Sequence, residues 1–225
     1  MDTLEKKIKK ANEIIIRAYK KYPVEKVVVA WTGGKDSTVL LHLIKNALKK
    51  DVPFPVMFND STMEFEEIYD FIKKISNEWR LNLVVVSHSE KELKEFKAAK
   101  DRARKKELSR IMKINAMKSF VSKYDVRAFF AGIRWDEHDS RSKESYFSKR
   151  EDHMRVHPIL HFTEKDIWEY IKKYNVPYVV LYDQGYRSLG EKPFTKKARP
   201  GEGERSGREP DKEKLMERLR NMGYW

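Results

Sequence analysis

The chain opens with apolar residues at helical spacing, Leu4, Ile8, Ala11, Ile15, Ala18 and Tyr22, which predicts an amphipathic helix over the first twenty or so residues, closed near Pro23. The run Val27-Val28-Val29-Ala30-Trp31 follows; it is short, β-branched and free of alternation, as a strand buried on both faces of a parallel sheet should be. The pattern then repeats, with a helix expected over 38–49, a strand over 55–59, a helix over 64–80, a strand over 83–87, a long helical stretch over 90–124 and a strand over 128–131. Strands alternating with helices specify an α/β fold, here a doubly wound parallel sheet. Past Gly132 the chain becomes densely charged before a helix over 164–174, where Thr163 is placed to cap and Asp166 to reach back. Six of the nine glycines lie beyond residue 180, so the last quarter reads as loop, with a short closing helix over 212–221 and a terminal Tyr224-Trp225. The expected organisation is one α/β domain over 1–180 with a loop-rich C-terminal extension, 181–225, packed on it.

Charge sharpens this picture. Charged residues make up 37% of the 225 residues, and 48 Lys+Arg against 35 Asp+Glu leave a net charge of +13, so an anionic partner is expected. Abundant Lys, Glu, Ile, Val and Tyr without cysteine is also the composition of a hyperthermophile's protein, in which part of the charge is surface ion-pair network. Residues 97–113 carry eight basic and two acidic side chains; a helix this basic can meet a protein partner, a second copy, RNA or only water, and a solvated or partner-facing helix is preferred here to one that binds nucleic acid. Cysteine is absent, which excludes disulfides, thiolate-bound zinc, iron–sulfur clusters and a cysteine nucleophile in these residues. No apolar run approaches the ~18 residues of a membrane span, and the first residues are charged where a signal peptide turns apolar, so the expected location is cytoplasmic.

The chemistry begins where the first strand ends. Thr32-Gly33-Gly34-Lys35-Asp36-Ser37 joins that strand to an apolar helix, the place where a parallel α/β sheet binds ligands. Paired glycines let the backbone approach a bulky anion, and the helix that follows points its positive end at the same spot. A Walker A loop would need glycine at Val29 and Ser or Thr at Asp36, and no G-x-G-x-x-G is present. The segment instead resembles the [S/T]-G-G-K-D-S pyrophosphate loop of the adenine-nucleotide α-hydrolase superfamily. That resemblance implies a five-stranded parallel sheet and an α/β nucleotide-binding domain. It also implies ATP with Mg²⁺ nearby, the loop residues Thr32, Gly33, Gly34 and Asp36 against the nucleotide, and Lys35 and Ser37 on its outer phosphates.

Later segments narrow the family. Gly132-Ile133-Arg134-Trp135-Asp136-Glu137-His138-Asp139-Ser140-Arg141 resembles the G-x-R-x-D-E-x-x-S-R segment of the catalytic subunit of sulfate adenylyltransferase and its relatives, the phosphoadenosine-phosphosulfate reductases and eukaryotic-type FAD synthetases. Similar matches follow at 155–159, 163–171, 187–190 and 204–208. The resemblance implies adenylyl transfer with release of pyrophosphate, with sulfate as the favoured small oxyanion acceptor. Lys35, Arg134 and Arg141 are its candidate catalytic residues, the two arginines gripping the acceptor or the α-phosphate as bidentate forks. Asp60 and Ser61 are assigned to the nucleoside side, and Gly132, Arg187, Arg205 and Arg208 complete the nucleotide site. Asp136, Glu137 and Asp139 are expected to restrain those arginines or approach Mg²⁺ through water; no residue is assigned as a direct metal ligand, since the histidines fit no zinc template.

The branches of the family separate on details. Reductases of this family carry an essential cysteine near the C-terminus, and these residues have none, so thiol-dependent sulfonucleotide reduction is expected to be absent. The short connection from Leu181-Tyr182 to Arg187 looks more like reductases and FAD synthetases than like the adenylyltransferase subunit, which puts that subunit's GTPase partner in question. FMN adenylyl transfer, a cysteine-less non-reducing homologue and a nucleotide-sensing or RNA-binding module are the alternatives. Two further expectations concern behaviour. Lys35, read as an exposed loop residue, should be replaceable at a cost of no more than about 0.5 kcal/mol. Residues 196–211, rich in glycine, proline and charge, should be mobile when the site is empty and close over ATP as a lid.

Overall fold

The computed structural model describes residues 2–49, 51–199 and 201–208; the closing helix expected over 212–221 and the terminal Tyr224-Trp225 lie outside the described residues. Helix α1 (Leu4–Lys21) starts under a Thr3 cap and buries Leu4, Ala11, Ile14, Ile15 and Ala18. Strand β1 (Val27–Ala30) leads through the Gly33–Gly34 turn into α2 (Lys35–Leu48), then β2 (Val56–Asp60), α3 (Glu66–Glu78) and β3 (Leu83–Ser87). The expected long helix over 90–124 is two helices, α4 (Glu90–Ala98) and α5 (Arg102–Lys123). Neither glycine nor proline marks the break. The Asp101 carboxylate accepts the Arg104 amide at 2.9 Å, a cap that starts a new helix in place of continuing the old one.

Strands β4 (Ala128–Phe130), β5 (Phe147–Lys149) and β6 (Met154–Val156) and helix α6 (Glu164–Tyr174) complete the elements that frame the site. The sheet has six strands in the order β3-β2-β1-β4-β6-β5. Five are parallel, as expected; the sixth, β5, is an antiparallel edge strand pairing Ser148 with Arg155 of β6. Its three residues lie inside a charged stretch with no hydrophobic period, so the pattern of the chain does not reveal it. Helices cover both faces. Val27 and Val29 point into the core built with α1, α2, α3 and α6, and Val28 points to the opposite core with Met57, Phe120, Val121 and Phe129. This two-sided burial is why β1 reads as an unbroken apolar run.

The strand order positions the site. From β1 the chain winds outward through β2 to β3, then returns to place β4 on the other side of β1. The carboxyl ends of β1 and β4 therefore flank a switch point, where helices diverge and a crevice opens. Residues 181–199 and 201–208 close around that crevice: Leu181 and Tyr182 join the main core, and the Lys192 amide donates to the Met63 carbonyl at 2.8 Å.

Helix α6 is anchored by one carboxylate. Asp166 accepts the Thr163 amide at 2.6 Å, the Thr163 hydroxyl at 2.7 Å and the Lys7 ammonium of α1 at 2.5 Å. Burial alone would raise its pKa, but the hydrogen bonds from Lys7 and Thr163 outweigh it and hold the carboxyl below its ordinary value. A depressed native pKa gives stability that is present above the unfolded value of about 3.9 and is lost as pH falls through the native one. Asp166→Asn should therefore cost on the order of 1–3 kcal/mol at pH 7. Urea unfolding at pH 7 and pH 3 should show the difference from wild type shrinking at the lower pH.

Candidate active site

The phosphate-loop segment folds as a tight strand-to-helix turn. Gly33 takes φ +73°, where a Cβ would press on Ile68 at 3.1 Å, and Gly34 forms the N-cap of α2. Side chains of the first turn tie the cap down: the Ser37 and Thr38 hydroxyls donate to the Gly34 carbonyl at 3.0 and 2.9 Å, and the Thr32 amide donates to Ser37 Oγ at 3.3 Å. The Lys35 amide donates to the Tyr182 hydroxyl at 2.9 Å. Across the crevice Gly132 follows β4, and a Cβ there would lie 3.0 Å from the Asp36 carbonyl. Only glycine lets the two loops approach this closely.

Lys35 is buried, not exposed as expected, with 1% of its surface accessible. Its ammonium binds Asp36 at 3.0 Å, the Arg187 carbonyl at 3.2 Å and the Glu204 carboxylate. Arg134 is completely buried; Nε donates to Asp36 at 2.6 Å, Nη1 to Asp136 at 2.6 Å and Nη2 to Glu204. Arg141 is clasped by Glu137, which Arg205 also approaches at 3.6 Å. The restraint of arginines expected from Asp136 and Glu137 is thus present, and Glu204 and Asp36 join it.

Ionisation follows the same geometry. Burial disfavours the Lys35 ammonium, but Asp36, Tyr182 and Glu204 outweigh it and hold its pKa above the ordinary value. Burial likewise works against the Asp36 and Glu137 carboxylates, yet Lys35 and Arg134 around Asp36, and Arg141 beside Glu137, keep both below the usual range. For Asp136 and Glu204 burial prevails and the pKa is raised.

A cavity of about 250 Å³ opens on this cluster. Thr32, Gly34, Lys35, Asp36, Ser37, Gly132, Arg141, Arg205 and Arg208 line it. Its inner end runs between the sheet and α5 to Met57, Asn59, Met117 and Phe129. Arg155 closes that end with its guanidinium 4.0 Å from the Phe129 ring centre, and among the described residues the buried Asn59 side-chain carbonyl has no hydrogen-bond partner.

Several sequence-derived candidates lie elsewhere. Asp60 and Ser61 are used in the turn after β2, Asp60 accepting the Thr62 amide and Tyr69 hydroxyl at 2.7 Å each, and Ser61 donating to Glu64 at 2.8 Å. Neither lines the cavity. The Arg187 guanidinium turns to Glu164 and the Glu202 carbonyl, leaving only its backbone oxygen on Lys35. Arg134 stands behind the cavity wall, gripping carboxylates in place of an acceptor. Asn59, Tyr182, Arg155 and Glu204 were not singled out as ligands, although Glu204 and Arg155 each open a motif matched above.

Because Arg134 balances three carboxylates, Arg134→Ala should cost about 3–5 kcal/mol by stranding buried charges. A urea midpoint indistinguishable from wild type would contradict this account of the cluster.

Comparison with known proteins agrees with the frame described. The phosphoadenosine phosphosulfate reductase domain matches residues 26–197. The chain is 31% identical over 191 residues to a sulfate adenylyltransferase subunit 2 of Buchnera aphidicola, a match covering 73% of this chain and 63% of that protein, under two thirds of its length. It is 33% identical over 185 residues to a phosphoadenosine 5'-phosphosulfate reductase of the same species, covering 77% and 72%. The solved Candida glabrata FMN adenylyltransferase with FMN and the ATP analogue AMPCPP superposes with a TM-score of 0.69 over 89% of this chain and 70% of that one, at 21% identity, a likeness of fold. With the domain match running from the foot of β1 past the Tyr182 turn, the chain belongs to the phosphoadenosine phosphosulfate reductase domain family.

Proposed function

We propose that the protein transfers the adenylyl group of ATP to a small oxyanion, with sulfate the favoured acceptor. An acceptor oxygen attacks the α-phosphorus, the bond from that phosphorus to the bridging oxygen breaks, and pyrophosphate leaves with the electron pair. The observation that carries this reading is the two-ended cavity. Its outer end joins a glycine-rich helix N-terminus to Lys35, Arg141 and Arg205; its inner end is a slot between Met57, Met117 and Phe129. A slot of that kind takes a flat base, and the partnerless Asn59 carbonyl offers an acceptor to an exocyclic amine such as that of adenine. Chemistry of this type needs positioned cations and dipoles more than covalent participation.

The two relatives name two chemistries, adenylyl transfer and sulfonucleotide reduction. Absence of cysteine favours the first, because the family's reduction proceeds through a thiolate. For Mg²⁺ the donor set fits: oxygens of Asp36, Glu137 and Glu204 lie within 4.8 Å of one another. Carboxylate oxygens suit this hard cation, which usually takes one or two of them with phosphate oxygens and water. Asp36 and Glu137, whose pKa values the neighbouring cations hold below the usual range, would hold it, and bound there it would offset charge on the phosphates. A protein partner is also part of the reading, since the sulfate adenylyltransferase relative is named as a subunit. The basic stretch 97–113 is its proposed contact, although Arg104 within it already pairs with Glu95 and Glu107. Among the described residues no helix is long and apolar enough to cross a membrane.

Pyrophosphate release from ATP and Mg²⁺, measured with sulfate, FMN or bulk tRNA, tests the proposal: release should depend on sulfate. Release with FMN alone would reassign the acceptor, and none with any of them would remove adenylyl transfer. Lys35→Ala should cut turnover about ten- to a hundredfold through loss of a charge-assisted contact, with circular dichroism run alongside because Lys35 is buried. Asn59→Ala should raise the KM for ATP by about two- to tenfold, the worth of one neutral hydrogen bond, while pyrophosphate affinity stays unchanged.

A further inference from the structure

We propose that residues 201–208 form a latch in which the Glu204 carboxylate occupies the place of a ligand oxyanion on the phosphate loop, and that a phosphate chain opens the latch by displacing it. The proposal rests on the reading that the cavity takes ATP, and it reverses the expected lid. The segment is seated on the loop through the contacts of Glu204 with Lys35 and Arg134.

Four observations carry it. Glu204 bridges Lys35 and Arg134 with one oxygen on each, the bidentate contact that a phosphate makes with a lysine and an arginine. The Lys35 amide, which a phosphate-binding helix start would offer to its ligand, is taken by the Tyr182 hydroxyl. The segment is also fitted to its seat. Lys196 donates its amide to the Gly207 carbonyl at 2.8 Å, a Cβ on Gly207 would lie 2.1 Å from the Lys196 carbonyl oxygen, and the Arg208 guanidinium covers Gly190. The remaining cavity, about 250 Å³, falls short of the roughly 300–1,000 Å³ of pockets that engulf ligands.

Charge balance favours displacement. Lys35, Arg134, Arg141 and Arg205 meet Asp36, Asp136, Glu137 and Glu204, four against four. With Glu204 withdrawn, these cations and Arg208 on the cavity wall would carry a net positive charge with which to receive a pyrophosphate. Asp136 also accepts the Glu164 amide at 2.9 Å and Glu137 the Arg134 amide at 2.9 Å, and Asp36 is fixed in the first turn of α2. Asp136 and Glu137 sit in a short 3-10 helix, Trp135–Glu137, whereas Glu204 lies in a segment without helix or strand, preceded by exposed residues 201–203. It is the carboxylate that can leave.

Amide hydrogen exchange and equilibrium binding of inorganic pyrophosphate, without added metal, test the latch. In the wild type, saturating pyrophosphate should speed exchange across 204–208, whereas a lid would slow it. Glu204→Gln keeps the shape and removes the charge; it should speed exchange at 205–208 in the empty protein and lower the pyrophosphate Kd about tenfold, the factor for a latch closed in about nine molecules of ten. Unchanged or weaker pyrophosphate binding by this variant, or slower exchange at 204–208 on adding pyrophosphate to wild type, overturns the proposal. The wild-type arm holds even if the variant folds poorly. A response to pyrophosphate without ATP binding keeps the latch and removes the adenylyl reading; ATP binding with slowed exchange does the reverse.

Discussion

Two buried cations govern this structure. Lys35 at the head of α2 and Arg134 after β4 are almost wholly withdrawn from water. A buried ion without partners costs several kcal/mol, so each cation must find carboxylates of matching geometry. Those carboxylates come from the first turn of α2 (Asp36), the turn after β4 (Asp136) and a segment near residue 204. The ion cluster therefore fastens three regions distant in sequence. Arg134 reaches Asp36 across 98 positions and Lys35 reaches Glu204 across 169. Loss of one member leaves the others as unbalanced charges in a medium that screens them poorly.

The sheet makes that convergence possible. Winding outward from β1 and returning to β4 puts two strand ends side by side at the point where the helices part, and the close approach at Gly132 leaves no room for a side chain to wedge the loops apart. Behind them α5 leans on β2 and β3 with enough space left to line a slot with Met117 and Phe129. The frame thus supplies a charged mouth and an apolar throat in one crevice.

Relatives named for adenylyl transfer and for sulfonucleotide reduction are similar in sequence to this one chain, as expected when function resides in groups added to a scaffold and not in the scaffold itself. In this chain the groups present are cations, carboxylates and helix-end amides, with no thiol.

Elements whose signals are local were legible in the order of residues. The β-branched run of β1, the helical period of α1 and the Thr163–Asp166 capping box all fold as their patterns require, because each depends on neighbours a few residues away. The strand–Gly-Gly–helix turn was legible for the same reason, as was the parallel class of the sheet. Tertiary structure alone decided the rest. The edge strand β5 has no periodic signature. Whether Lys35 and Arg134 faced water or carboxylates depended on residues 36, 136 and 204 meeting in space, and Asp60 and Ser61 were claimed by their own turn. Charge pairing is a property of three-dimensional proximity, and a linear pattern gives the charges without the distances between them.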